Sequence, residues 1–106
     1  MVKFLIIFYQ PDDLAAFETR YNASLALIER MPNITRRQVV NVLGGPTGES
    51  RYYRFLEVYF DDEAKMREAL TSPEGQVAGA AVGKFPQGSF EMAFADVFEE
   101  AGGKTE

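Results

Sequence analysis

From Val2 to Tyr9 every position but one, Lys3, is apolar or aromatic, and the run has no helical period. A short run of β-branched and aromatic residues without alternation predicts a strand covered on both faces. Pro11-Asp12-Asp13 breaks it and offers carboxylates to a helix N-terminus. Leu14, Phe17, Tyr21, Leu25 and Ile28 then recur every three or four positions, one stripe of a helix that Pro32 ends. Residues 34–43 and 51–60 predict two strands around the turn-forming segment 44–50, a hairpin with a long tip. Asp61-Asp62 opens a helix with Met66, Ala69 and Leu70 inward. Ser72-Pro73-Glu74 restarts it, with Ser as N-cap, Pro at the first helical position, and Val77, Ala81 and Phe85 as its stripe. Residues 88–98 predict a fourth strand.

The order is β-α-β-β-α-β, the ferredoxin-like α+β arrangement: one antiparallel sheet with its helices on one face. The opposite face should then alternate with polar residues, and it does not. The first strand puts Phe4, Ile6 and Phe8 on one side and Leu5, Ile7 and Tyr9 on the other. The third puts Leu56, Val58 and Phe60 against Tyr53, Phe55 and Tyr59. Such a second apolar face calls for a partner, and a second copy stacked sheet to sheet is the economical one. We expect one domain over residues 1–98 and a flexible acidic tail over 99–106.

Composition narrows the chemistry. The 106 residues include neither cysteine nor histidine, which removes disulfides, thiolate or imidazole metal sites, and His-based triads. Ser24 therefore has no imidazole to activate it. The net charge of −5 opposes a phosphate backbone. Arg51 to Val58 partly matches the aromatic strand of RNA-recognition domains, but bulky Tyr52 and Arg54 stand where small residues belong. The glycines at 44, 45 and 48 precede a strand and lack a following lysine, so they serve a turn rather than a phosphate. No stretch approaches the length of a membrane span, and the chain reads as cytoplasmic.

Glu57 is the acid of interest, mid-strand between Phe55 and Tyr59. If the hairpin is symmetric about Thr47, Arg37 lies opposite Glu57 and Asn41 opposite Tyr53, all on the helix-free face. There Glu57 serves either as an acid or base in a desolvated cleft or as a cross-strand ion pair that pins register. Tyr21 reads as a core tyrosine or as a proton donor.

The chain resembles the EthD family (ethyl tert-butyl ether degradation protein-like) of dimeric α/β-barrel proteins. The likeness lies in Phe8-Tyr9, Arg30-Met31-Pro32, Tyr53 to Asp62 and, most specifically, Ser72-Pro73-Glu74-Gly75-Gln76. It implies two ferredoxin-like units closing face to face, with a pocket on the helix-free side of each sheet. Many relatives carry a histidine in the first helix, followed by a Pro-Gly stop. Here Ser24 or Leu25 takes that histidine's place, depending on the end from which one counts, and Asn33 replaces the Gly. The leading expectation is a homodimer binding a small, mostly apolar molecule without metal or redox cofactor. Its ligand contacts would be Tyr9, Ser24, Asn41, Tyr53, Phe55 and Tyr59. The alternative is a cofactor-independent lyase, isomerase or oxygenase acting on small aromatic or polyketide-like compounds, with Glu57 and Tyr21 as its catalytic pair. A third is an interaction protein with a filled interface and no pocket.

Overall fold

The computed structural model describes residues 1–99; the expected tail, from residue 100 on, lies outside them. The elements run β1 (Val2–Tyr9), α1 (Leu14–Ile28), β2 (Arg36–Asn41), β3 (Tyr52–Phe60), α2 (Glu63–Thr71), α3 (Pro73–Val82) and β4 (Phe90–Asp96). They form one sheet in the order β2-β3-β1-β4 with antiparallel pairing throughout, the ferredoxin-like topology the pattern predicts. Among the described residues no helix is long and apolar enough to cross a membrane.

The core forms between the sheet and the helices. Val2, Phe4, Ile6 and Phe8 alternate inward along β1, and Leu56, Val58 and Phe60 join them from β3. Phe8 is the hub: its ring centroid lies 5.2 Å from Phe17, 5.7 Å from Tyr21 and 5.0 Å from Phe85. On α1 the inward residues are Phe17, Tyr21, Ser24 and Ile28, while Leu14, in the first turn, is exposed. On α3 the predicted stripe is displaced: Gly75, Ala78 and Val82 face inward and Val77 faces solvent. The cause is close approach at the α2–α3 junction. Ser72 donates to the Ala69 carbonyl and accepts from the Gly75 amide, ending one helix and capping the next. A Cβ on Gly75 would lie 2.2 Å from the Ala69 oxygen and 2.6 Å from that of Leu70, so the Ser-Pro-Glu-Gly segment admits no side chain there.

The turn after α1 shows what replaced the expected Gly. Asn33 adopts a left-handed φ of 69°, which asparagine tolerates better than most residues. Its amide then donates to the Lys65 carbonyl and to Glu68, tying the turn to α2.

Two local irregularities set the faces of the sheet. The hairpin tip closes on a Gly45–Gly48 bridge around Pro46-Thr47, with extra residues on its second arm. The pairing is therefore Gln38 with Glu57 and Asn41 with Arg54, one residue away from symmetry about Thr47. A one-residue slip turns every side chain over, so Arg37 and Asn41 lie on the helix side rather than beside Glu57. Arg37 instead pairs with Glu29 at 3.0 Å. The second irregularity lies where β1 pairs Phe8 with Arg54 but Tyr9 with Tyr52. Tyr53 is the extra residue of a bulge, and its side chain turns toward α1 rather than to the helix-free face.

Candidate functional site

The side chains singled out from the sequence divide between the two faces of the sheet. Tyr9, Phe55, Glu57 and Tyr59 are on the helix-free face. Tyr21, Ser24, Asn41 and Tyr53 are on the helix side, so they do not line a helix-free cleft. Glu57 and Tyr21 lie on opposite sides of the sheet and do not form one acid–base pair.

On the helix-free face Glu57 is only 8% exposed. Its Oε1 accepts from the Lys3 ammonium at 2.8 Å, an ion pair across neighbouring strands, and the Tyr59 hydroxyl lies 3.0 Å away. That hydroxyl is also 3.0 Å from the Gln38 amide oxygen. A phenol has one proton, so Tyr59 donates to the carboxylate, and Gln38 with its amide turned over donates back. The Arg36 guanidinium sits 4.3 Å from the Tyr59 ring centroid. The bond to Glu57 holds Lys3 above the ordinary lysine range, against the opposing effect of burial. Half-buried Leu5, Ile7 and Phe55 surround this polar centre, with Val40 exposed beside them.

The helix side holds a second carboxylate that sequence reasoning missed. Glu18, on α1, takes a forked contact from Arg54 at 2.7 and 3.1 Å and a bond from the Tyr53 hydroxyl at 3.0 Å. Arg54 also donates to the Asn41 amide oxygen at 2.8 Å, and its guanidinium lies 4.5 Å from the Tyr21 ring centroid. The Arg54 bond holds the Glu18 carboxyl below the ordinary carboxylate range, helped by Tyr53. The Tyr21 hydroxyl is buried with no hydrogen-bond partner among the described residues; burial pushes it up, and Arg54 only partly offsets this. Strand parity carried a signal for this group. Arg54 shares its face with Leu56, Val58 and Phe60, and a charge among them needs a carboxylate.

A cleft of about 340 Å³ opens at the end of the sheet, between the start of α1 and the loop before β4. Phe17, Phe85, Pro11 and Pro86 line it with Arg20 of α1, and Tyr9 borders it from the end of β1, its ring turned to the helix-free face. Tyr9 is the one predicted ligand contact that lines it. Its ring stacks on Tyr52 at 5.7 Å, and its hydroxyl bonds to Glu91. A second, apolar groove of about 230 Å³ runs between α3 and β4, beside exposed Met92 and Phe94.

No family model matches the sequence. The chain is 31% identical over 100 residues to the uncharacterized 11.0 kDa protein of the thcB-thcC intergenic region of Rhodococcus erythropolis, covering 91% of this chain and 94% of that one. An EthD family protein from Bacillus halodurans superposes with a TM-score of 0.88 at 29% identity, covering 92% of this chain and 99% of that one. Two solved structures share the fold at lower identity. A dimeric ferredoxin-like protein of unknown function from Jannaschia has a TM-score of 0.67 at 15% identity, covering 92% of this chain and 100% of that one. A cofactor-independent oxygenase from Streptomyces nogalater has a TM-score of 0.66 at 17% identity, covering 93% of this chain and 94% of that one. Sequence and fold together place this chain in the EthD family.

Proposed function

We propose that the protein is a homodimer, closed sheet to sheet through the helix-free face. Each subunit then binds a small, mostly apolar molecule in the cleft bordered by Tyr9, Phe17 and Phe85, with no metal or redox cofactor required. The observation that carries the binding reading is the cleft itself: about 340 Å³ with Phe17, Phe85, Pro11 and Pro86 on its lining, the size and character of a small-molecule site. This moves the ligand from the helix-free face to the end of the sheet, because the helix-free face serves the second subunit. Two features support that role. Leu5, Ile7, Phe55 and Val40 offer an apolar surface that no element of this subunit covers. The acid in their midst is already paired with Lys3 and bonded to Tyr59, so a second subunit would strand no bare charge. The dimeric Jannaschia protein of the same fold agrees with this reading.

One observation favours a second reading, a cofactor-independent lyase, isomerase or oxygenase. Glu57 is a buried carboxylate in contact with a tyrosine hydroxyl, an arrangement able to pass a proton. The tyrosine in that reading is Tyr59 rather than Tyr21. The test combines sedimentation with NMR titration of 2-naphthol as a neutral probe. We expect a dimer at micromolar concentration and amide shifts at Tyr9, Phe17 and Phe85. A monomer at about 100 μM would overturn the dimer, and shifts confined to Met92 and Phe94 would overturn the cleft. Glu57→Gln leaves probe binding unchanged in the binding reading and abolishes turnover in the enzyme reading.

A further inference from the structure

We infer that the molecule bound in the Tyr9–Phe17–Phe85 cleft is a planar aromatic carrying a carboxylate, and that Arg20 recognises its charge. This deepens the binding reading above and rests on it. The inference comes from the polar groups of the cleft, taken one by one. The Gln10 amide nitrogen donates to the carbonyls of Ser50 and Tyr52 at 3.2 and 3.1 Å. The Ser89 hydroxyl donates to the Pro86 carbonyl. The Asp13 carboxylate caps α1 by accepting from the Ala16 amide at 3.0 Å. The Tyr9 hydroxyl is held by Glu91. Asp12 and Gln87 are exposed at the rim.

Arg20 is left, half-buried, as the one cation on the cleft lining. It forms no ion pair among the described residues, and the nearby acid of its own helix, Glu18, is engaged by Arg54. Its guanidinium lies 5.8 Å from the Phe85 ring centroid, so an aromatic wall and a free planar fork meet at one edge of the cleft. A fork of N–H donors matches a carboxylate in two parallel hydrogen bonds, and the apolar lining of Phe17, Phe85, Pro11 and Pro86 strengthens them. A ring laid against Phe17 and Phe85 then directs its acidic substituent to Arg20. Asp12 and Asp13 are both on the lining and both exposed to water, where solvent and salt screen them, and they favour a ligand with a single negative charge over one with more.

The test compares 2-naphthoate with 2-naphthamide, the same ring with and without charge, by NMR titration of the intact protein and of Arg20→Gln and Arg20→Lys. We expect both probes to shift the amides of Phe17 and Phe85, with naphthoate bound at least about tenfold more tightly. Arg20→Gln should bring naphthoate down to the level of naphthamide, and Arg20→Lys should fall between. Equal affinity of the two probes, or unchanged naphthoate binding by Arg20→Gln, would overturn the inference while leaving the cleft as a neutral site. Silence of both probes at Phe17 and Phe85 would overturn the cleft reading as well.

Discussion

Two carboxylates on opposite faces of one sheet solve the same problem in opposite ways. Each is bonded to one cation and one tyrosine: Glu57 to Lys3 and Tyr59, Glu18 to Arg54 and Tyr53. On the helix-free face the acid is the sheltered partner, with its side chain 11% exposed against 21% for Lys3. On the helix side the cation is sheltered, with Arg54 at 12% and Glu18 at 37%. The difference follows from what each pair holds together. Arg54 lies under α1 among the rings of Phe17, Tyr21 and Tyr53, so it anchors a helix to the sheet within one subunit. Glu57 is sheltered on a face that no helix covers, by side chains of the neighbouring strands, and its pair joins β1 to β3.

The largest expected effect breaks the helix-side pair. Glu18→Ala leaves the Arg54 guanidinium among aromatic rings without its carboxylate, and, with Glu18 itself 37% exposed to screening water, the loss is about 2 kcal/mol. Urea unfolding should show that loss in the subunit itself, at protein concentrations low enough to exclude assembly. A loss under about 1 kcal/mol would mean that water reaches Arg54 and that the two faces do not differ in kind.

Much of this contrast was legible in the sequence, and the part that was not has specific causes. Strand β1 announced a sheet with two apolar faces because Leu5, Ile7 and Tyr9 alternate with Phe4, Ile6 and Phe8. Glu57 was visible as a carboxylate between aromatics. Its partner was not: extra residues in the tip shift the hairpin and put Gln38 where symmetry put Arg37, and the cation comes instead from Lys3 on β1. Tyr53 was misplaced because a bulge leaves no mark in a run of aromatic residues. Glu18 looked like any solvent-facing helix charge; only the position of Arg54 on the inward parity of β3 pointed to it. The cleft was least visible, since its walls come from β1, α1 and the loop before β4, brought together only by folding.

The pH dependence of stability sharpens the comparison with a moderate effect, because the two faces act at opposite ends of the scale. Arg54 lowers the Glu18 carboxyl. Its contribution is therefore complete above the ordinary carboxylate value of about 4.3 and is lost as pH falls through the lower folded value. Glu57 raises Lys3. That contribution is complete below the ordinary lysine value of about 10.4 and is lost as pH rises through the higher folded value. Thermal unfolding across pH should show Glu18→Gln flattening the acid limb and Lys3→Met flattening the alkaline limb. An alkaline limb unchanged by Lys3→Met would mean that the pair with Glu57 contributes nothing to stability.

The smallest effect tests whether the helix side is finished as it stands. The Tyr21 ring packs 5.7 Å from Phe8 and 5.8 Å from Phe17 and carries the Arg54 guanidinium above it, all of which Tyr21→Phe retains. What the substitution removes is a buried hydroxyl without a hydrogen-bond partner. Removing an unsatisfied buried donor is neutral or stabilising, here by up to about 1 kcal/mol. Urea unfolding of Tyr21→Phe should therefore show stability unchanged or raised. A loss of more than about 1 kcal/mol would mean that the hydroxyl does hold a partner, a bound water or the ligand itself. The polar group open to a partner would then be the one beneath α1, and the contrast between a helix-covered face and an uncovered one would have to be redrawn around Tyr21 rather than Glu57.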